Sequence, residues 1–205
     1  MAPARLPSAH VQPADAGLAH NGGMSASQPA GDPVQPPAAQ SDPRLAADWA
    51  RRLEAVSDEV RALLSAVAAE GGPAVANHFY GDMLEDPRAS RFLSPEQVRE
   101  RLKPSLQRWL RELMGARPAD ADALQAMQEH VGHVHARIEI PVDLVSRGAR
   151  MLKDDLHAGI RARAGSDALA LEAVIRADGL VDIALETMTR AYARSRDAAG
   201  AIDGS

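Results

Sequence analysis

Proline placement constrains this chain more than any other feature. Proline fixes φ and lacks a backbone donor, so helix interiors and strand ladders tend to exclude it. Eight of the 14 prolines fall within the first 43 residues, among glycine, serine, alanine and glutamine. Such a segment buries too little apolar surface to offset its chain entropy, so 1–43 is expected to be disordered. Met24 inside it offers a second start of translation besides Met1. The later prolines read as punctuation: Pro73 after Gly71-Gly72, Pro87 after Asp86, Pro95 after Ser94, Pro118 before Ala119-Asp120, and Pro141 after Ile140.

Between these marks run apolar residues at three–four spacing. They predict helices over about 44–70, 73–85, 95–115, 119–138, 141–163 and 167–195, with a short helical turn at 87–92. Ser94-Pro95-Glu96-Gln97 is a start signal, with a capping serine and proline at the first helical position. Pro104 is the misfit, and the helix around it should kink or restart there. No strand-like alternation separates the segments. The expected fold is all-α, one domain over 44–195 with a flexible tail at 196–205, its helices too long and too many for a minimal four-helix bundle.

Composition narrows the chemistry. Two Trp, two Tyr and two Phe leave the core to aliphatic residues. With 23 basic and 28 acidic residues the net charge is −5, which suits neither a nucleic-acid groove nor a polybasic membrane patch. No cysteine is present, which excludes disulfides, thiolate metal sites and cysteine nucleophiles and leaves seven histidines as nitrogen ligands. No apolar run approaches the roughly 20 residues of a membrane span, and the N-terminus lacks a signal-peptide core. A soluble, cytoplasmic protein is expected.

Along 119–138, an advance of about 100° per residue puts Leu124, Met127, Val131, Val134 and Ile138 on one stripe. His135 lies at its edge, His130 further round, and His133 nearly opposite. An inward histidine is either a core residue satisfied by hydrogen bonds or a metal ligand, and the angle alone fits both. Zinc is disfavoured because the three histidines fan out around the helix. In 73–85, Val75, Ala76, Phe79 and Met83 face inward, with Tyr80 at the margin. In 95–115, Val98, Leu102, Leu106, Trp109 and Leu113 form the stripe and Ser105 borders it. Tyr80 either packs with its hydroxyl tied to a carbonyl or aims that hydroxyl into a pocket. Ser105 is either a surface residue or bonded to its own preceding turn.

Local strings go further. Phe79-Tyr80, Phe92-Leu93-Ser94, Gln97-Val98, Arg101-Leu102-Lys103 and Trp109-Leu110 resemble the first half of the globin-coupled sensors. Val134-His135-Ala136-Arg137-Ile138-Glu139-Ile140-Pro141-Val142 is similar to that family's ligand-helix signature and is the most specific part. Arg147-Gly148-Ala149-Arg150 and Met188-Thr189-Arg190-Ala191 extend the resemblance over about 44–195.

The resemblance implies a globin-like fold of six to seven helices holding a haem b, with His135 as the proximal ligand of the iron. By the same likeness Tyr80 is the distal donor to bound oxygen, Leu102 controls access, and Ser105 matches a second distal hydroxyl in some members. Trp109 and Met127 wall the pocket. O2, CO or NO is the implied ligand. A neutral hydrogen bond from Tyr80 contributes about 0.5–1.5 kcal/mol, roughly a few-fold to tenfold in oxygen affinity.

The typical member carries an output domain, such as a diguanylate cyclase, a kinase or a signalling module. No Gly-Gly-Asp-Glu-Phe string or other catalytic motif occurs here, so the chain is expected to be a sensor and not an enzyme. A homodimer through 141–195 is expected, because Leu144, Leu152 and Leu156, then Ile183, Leu185 and Met188, exceed one core's needs. Two other classes stand beside the gas sensor. A free-standing haem enzyme, a nitric oxide dioxygenase or peroxidase, would need a reductase or distal acid–base groups. A haem-free interaction bundle would be colourless.

Overall fold

Asp42 sets the start of the first helix. Its carboxylate accepts a hydrogen bond from the Arg44 N–H at 2.9 Å, and Pro43 follows at the first helical position, where a missing donor costs nothing. The computed structural model describes residues 42–203. The expectations of disorder over 1–43 and of a tail at 196–205 therefore lie outside the described residues for 1–41 and 204–205.

The described residues form α1 (Pro43–Glu54), α2 (Asp58–Glu85), α3 (Pro95–Gln97), α4 (Lys103–Gly115), α5 (Ala121–Arg137), α6 (Val142–Arg163) and α7 (Asp167–Asp203). Short 3₁₀ turns at Ser90–Phe92 and Pro118–Asp120 join them, and no strand occurs among these residues. The all-α expectation holds.

The first break lies elsewhere than the sequence suggests. The chain interrupts at 55–57 and α2 runs unbroken through Gly71-Gly72-Pro73. Ser57 makes the new start, its hydroxyl accepting from the Val60 N–H at 3.3 Å, with Asp58 and Glu59 in the first turn. Pro73 is tolerated because Gly72 before it has no Cβ to meet the proline ring. The carbonyl that Pro73 leaves without an intrahelical donor belongs to exposed Ala69, where water can reach it.

Pro104 acts as expected. After α3 the chain enters a π-helical turn, Val98–Leu102, closed by the Lys103 N–H on the Val98 carbonyl, and α4 restarts with Pro104 in its first turn.

α5 ends in a two-bond motif. Ile140 N–H donates to the His135 carbonyl and Glu139 N–H to the Ala136 carbonyl, both at 3.1 Å. Glu139 takes the left-handed position with φ 58°, a place usually held by glycine. At the other end of the described residues, the helix expected over 167–195 is longer than the sequence suggests. α7 continues to Asp203, meeting no proline after 195 and passing through Gly200 without a break.

Trp49, Leu53, Leu64, Leu110, Leu113, Leu156, Ile160, Leu180 and Ile183 are buried together between the helices. Inside this core the Trp49 indole donates to Thr187 Oγ1 at 3.0 Å, and the Thr187 hydroxyl donates to the Ile183 carbonyl at 2.7 Å. Leu144, Leu152, Leu156 and Ile183, counted from sequence as surplus, are all buried inside the chain, while Leu185 and Met188 are half-buried. They satisfy the chain's own core. Surface apolar residues lie instead at Leu171, 63% exposed, and Ile175, 56% exposed, one turn apart on α7.

α5 is also rotated from the expected stripe. Its buried residues are Leu124, Gln125, Gln128, Gly132 and Ala136, while Met127, Val131 and Val134 are half-buried and Ile138 is 44% exposed. Gly132 explains the turn. A Cβ there would run into the Met188 carbonyl and stand 2.9 Å from the Ala191 side chain, so only glycine lets α5 and α7 approach this closely. No helix among the described residues is long and apolar enough to cross a membrane.

Candidate functional site

α4 packs on α2 and α5 packs on α7, but α4 and α5 are not among the closely packed pairs. The sequence-chosen residues sit on these helices: Tyr80 on α2, Leu102 on the π turn, Ser105 and Trp109 on α4, and Met127 and His135 on α5. The Trp109 indole spans α4 and α5, donating to Oε1 of buried Gln128 at 3.0 Å.

His135 is half-buried, and its ring hydrogen-bonds to no described residue. Nδ1 is buried without a partner, an uncommon state for a ring nitrogen in a folded protein. Burial pushes its pKa below the ordinary histidine value, so the ring is neutral and keeps a lone pair. Beside it, Met127, Val131 and Val134 are only partly covered by protein. His133 behaves differently, sharing a 2.6 Å hydrogen bond with Ser195 on α7 at the exposed side, and His130 is exposed. Of the three histidines on α5, His135 alone is drawn partly inside.

Tyr80 is half-buried and stands edge-on against Phe79, with ring centres 4.9 Å apart at 87°. Phe79 in turn lies against α6 where Gly148 has no side chain; a Cβ there would be 3.0 Å from its ring. Burial pushes the Tyr80 phenol up to about 12, so it remains a proton donor across the physiological range. No described residue accepts a hydrogen bond from it. Leu102, Trp109 and Met127 are half-buried, whereas Ser105 is exposed.

Two residues escaped the sequence analysis. Gln128 is fully buried and ties Trp109 to α5; a lone glutamine beside an apolar stripe gives little signal. Gly132 was legible in principle, since Gln128, Gly132 and Ala136 recur every four residues as a row that includes small side chains.

Residues 48–198 match the Protoglobin family. The chain belongs to the protoglobin family. Over 160 residues, 78% of its length, this protoglobin is 34% identical to diguanylate cyclase DosC of Escherichia coli K12. It spans only 35% of the length of that curated relative.

Among solved structures it is similar to the globin domain of E. coli DosC in a ferric form, with TM-score 0.69 and 34% identity over 72% of this chain and 99% of that one. The ferrous form gives TM-score 0.69 and 35% identity, again over 72% of this chain and 99% of that one. The globin domain of the Geobacter sulfurreducens globin-coupled sensor shares the fold, with TM-score 0.58 and 21% identity over 73% of this chain and 96% of that one. The protoglobin domain here is thus homologous to the globin domain of DosC.

Proposed function

We propose that this chain is a haem-based gas-sensing domain in which His135 is the protein ligand of the iron. The observation that carries the proposal is the His135 ring itself, half-buried and hydrogen-bonded to no described residue. Such an imidazole suits a metal ligand better than a satisfied core residue. The half-covered side chains of Met127, Val131 and Val134, with Leu102, Leu106 and Trp109 across on the α4 side, offer apolar walls for a macrocycle.

A haem held there supplies an iron centre that takes up O2, CO or NO. Attachment is non-covalent, hence haem b, because the chain has no cysteine to form a thioether. Tyr80 keeps its phenol proton and offers it to a ligand bearing partial negative charge. Leu102 hinders access, and Ser105 is the second hydroxyl on the same side. The domain binds and signals without catalysing a reaction of its own. Two copies associate through α6 and α7 in the cytoplasm, with exposed Leu171 and Ile175 in the contact. The output is a partner or domain such as the diguanylate cyclase named for the DosC relative.

Haem titration followed by the Soret band tests the assignment. Wild type and His133→Ala should each take up one haem per chain, and His135→Ala should not. A wild-type protein that stays colourless, or a His135→Ala variant with the wild-type spectrum, overturns it.

A further inference from the structure

A groove of about 320 Å³ opens between the last turns of α1 and the first half of α7. None of its lining residues belongs to the proposed gas site, and Ile175 at its rim is shared with the proposed dimer contact. Asp48, Arg51 and Arg52 line it from α1 and Ala55 from the residue that caps it, with Ile175, Arg176 and Gly179 from α7, each set at helical three–four spacing. Three guanidinium groups therefore share the groove with one carboxylate.

Two ordinary reasons for arginine at a helix end do not account for them. The first is capping of open carbonyls. At the end of α1 that role falls to Arg61, whose Nη2 donates to the Val56 carbonyl at 2.8 Å and to the Leu53 carbonyl at 3.4 Å.

The second is ion pairing within the chain, which uses only part of the set. Arg51 pairs with Asp48. Arg176 reaches Glu172 at 3.8 Å through Nη2, yet its Nε is buried with no partner among the described residues. Arg52 has no carboxylate within ion-pair reach among the described residues. Its Nη1 instead lies against α7 where Gly179 has no side chain, and a Cβ there would stand 2.6 Å away. Gly179 thus makes room for Arg52 in the groove.

We infer that this groove binds a small anion carrying phosphate-type oxygens, held by Arg51, Arg52 and Arg176. Guanidinium groups match such oxygens with paired N–H donors. The groove lies at the low end of the range for small-molecule sites, about 300–1,000 Å³, which suits a diphosphate-sized group. An anion held there links α1 to α7, so its binding and the position of α7 are thermodynamically coupled. The inference does not depend on haem.

Calorimetric titration of the full chain with inorganic pyrophosphate tests it, using wild type, Arg52→Gln, Arg176→Gln and the control Arg111→Gln on the exposed side of α4. Wild type should bind one pyrophosphate saturably. Loss of Arg52 or Arg176 should weaken binding by about tenfold or more, and loss of Arg111 should leave it unchanged. Arg52 is exposed, so its variant decides the matter even if Arg176→Gln folds poorly. Absence of binding, or equal weakening by the control, overturns the site. So does a change in self-association of the groove variants, seen by sedimentation, with no pyrophosphate binding; the arginines would then face a second copy.

Discussion

The Trp109 indole and the Gln128 carboxamide form a hydrogen bond of 3.0 Å between two helices that otherwise stand apart. Gln128 is fully buried and its Nε2 has no partner among the described residues, so the amide is held by this one bond. Gln128→Ala should cost about 1–3 kcal/mol, since it removes the partner of the Trp109 indole and leaves space at a fully buried position. Gln128→Met keeps the volume while removing the unpartnered amide, and should cost less. Urea unfolding of both, with Trp109→Phe to close a double-mutant cycle, should give a coupling of about 0.5–1.5 kcal/mol. Zero coupling would mean the bond contributes nothing.

Tyr80→Phe deletes the donor and keeps the packing against Phe79. In the haem-loaded protein, oxygen dissociation should accelerate by about a few-fold or more, and carbon monoxide dissociation much less. The ratio of the two rates in wild type and variant is the measurement. An unchanged ratio would leave Tyr80 a packing residue.

Gly132→Ala should destabilise the domain even though alanine favours helix by about 1 kcal/mol. The added Cβ meets the Met188 carbonyl, so α5 and α7 must separate, a strain of about 1–3 kcal/mol or more. Thermal melting checks this; a variant more stable than wild type would contradict the close approach.

Leu171→Glu and Ile175→Glu should convert a dimer to a monomer in sedimentation without loss of helix, because both side chains are exposed on the single chain. Ile183→Glu should unfold the domain instead, since Ile183 is only 2% exposed and lies in the core. A wild-type monomer at micromolar concentration would remove the dimer from the proposal.

His78 joins α2 to α6 through two 2.9 Å contacts with Asp155, and that carboxylate raises its pKa above the ordinary value. A raised folded-state pKa means the contribution is fully present below the unfolded value, about 6.5, and fades as pH rises through the folded value. The exposed site keeps the effect small. The stability difference between wild type and His78→Asn should therefore be larger at about pH 5.5 than at about pH 8.5. An equal difference at both would show that the pair does not titrate as argued.

Helix content, the Pro104 restart and the inward histidine were legible because each depends on residues within a turn or two of one another. The break at 55–57 was hidden because Gly71-Gly72-Pro73 gives the louder local signal, yet a glycine before the proline lets the helix pass. Rotation of α5 was hidden because it is set by Gly132 against the Met188 carbonyl of α7, a partner far along the chain. Leu156 and Ile183 seemed spare for a similar reason. How much apolar surface a core absorbs depends on how closely its helices pack, which one helical pattern at a time does not reveal.

Glu139 sits with positive φ between Ile138 and Ile140, and neither isoleucine can take that conformation without severe strain. Pro141 in turn holds Ile140 away from helical geometry. If α5 slipped by one residue in either direction, a β-branched side chain would be forced into the left-handed well. The corner therefore works as a register lock. It fixes the angular position of His135 on its helix from four residues downstream, with only Glu139 of the three corner residues suited to the reversal.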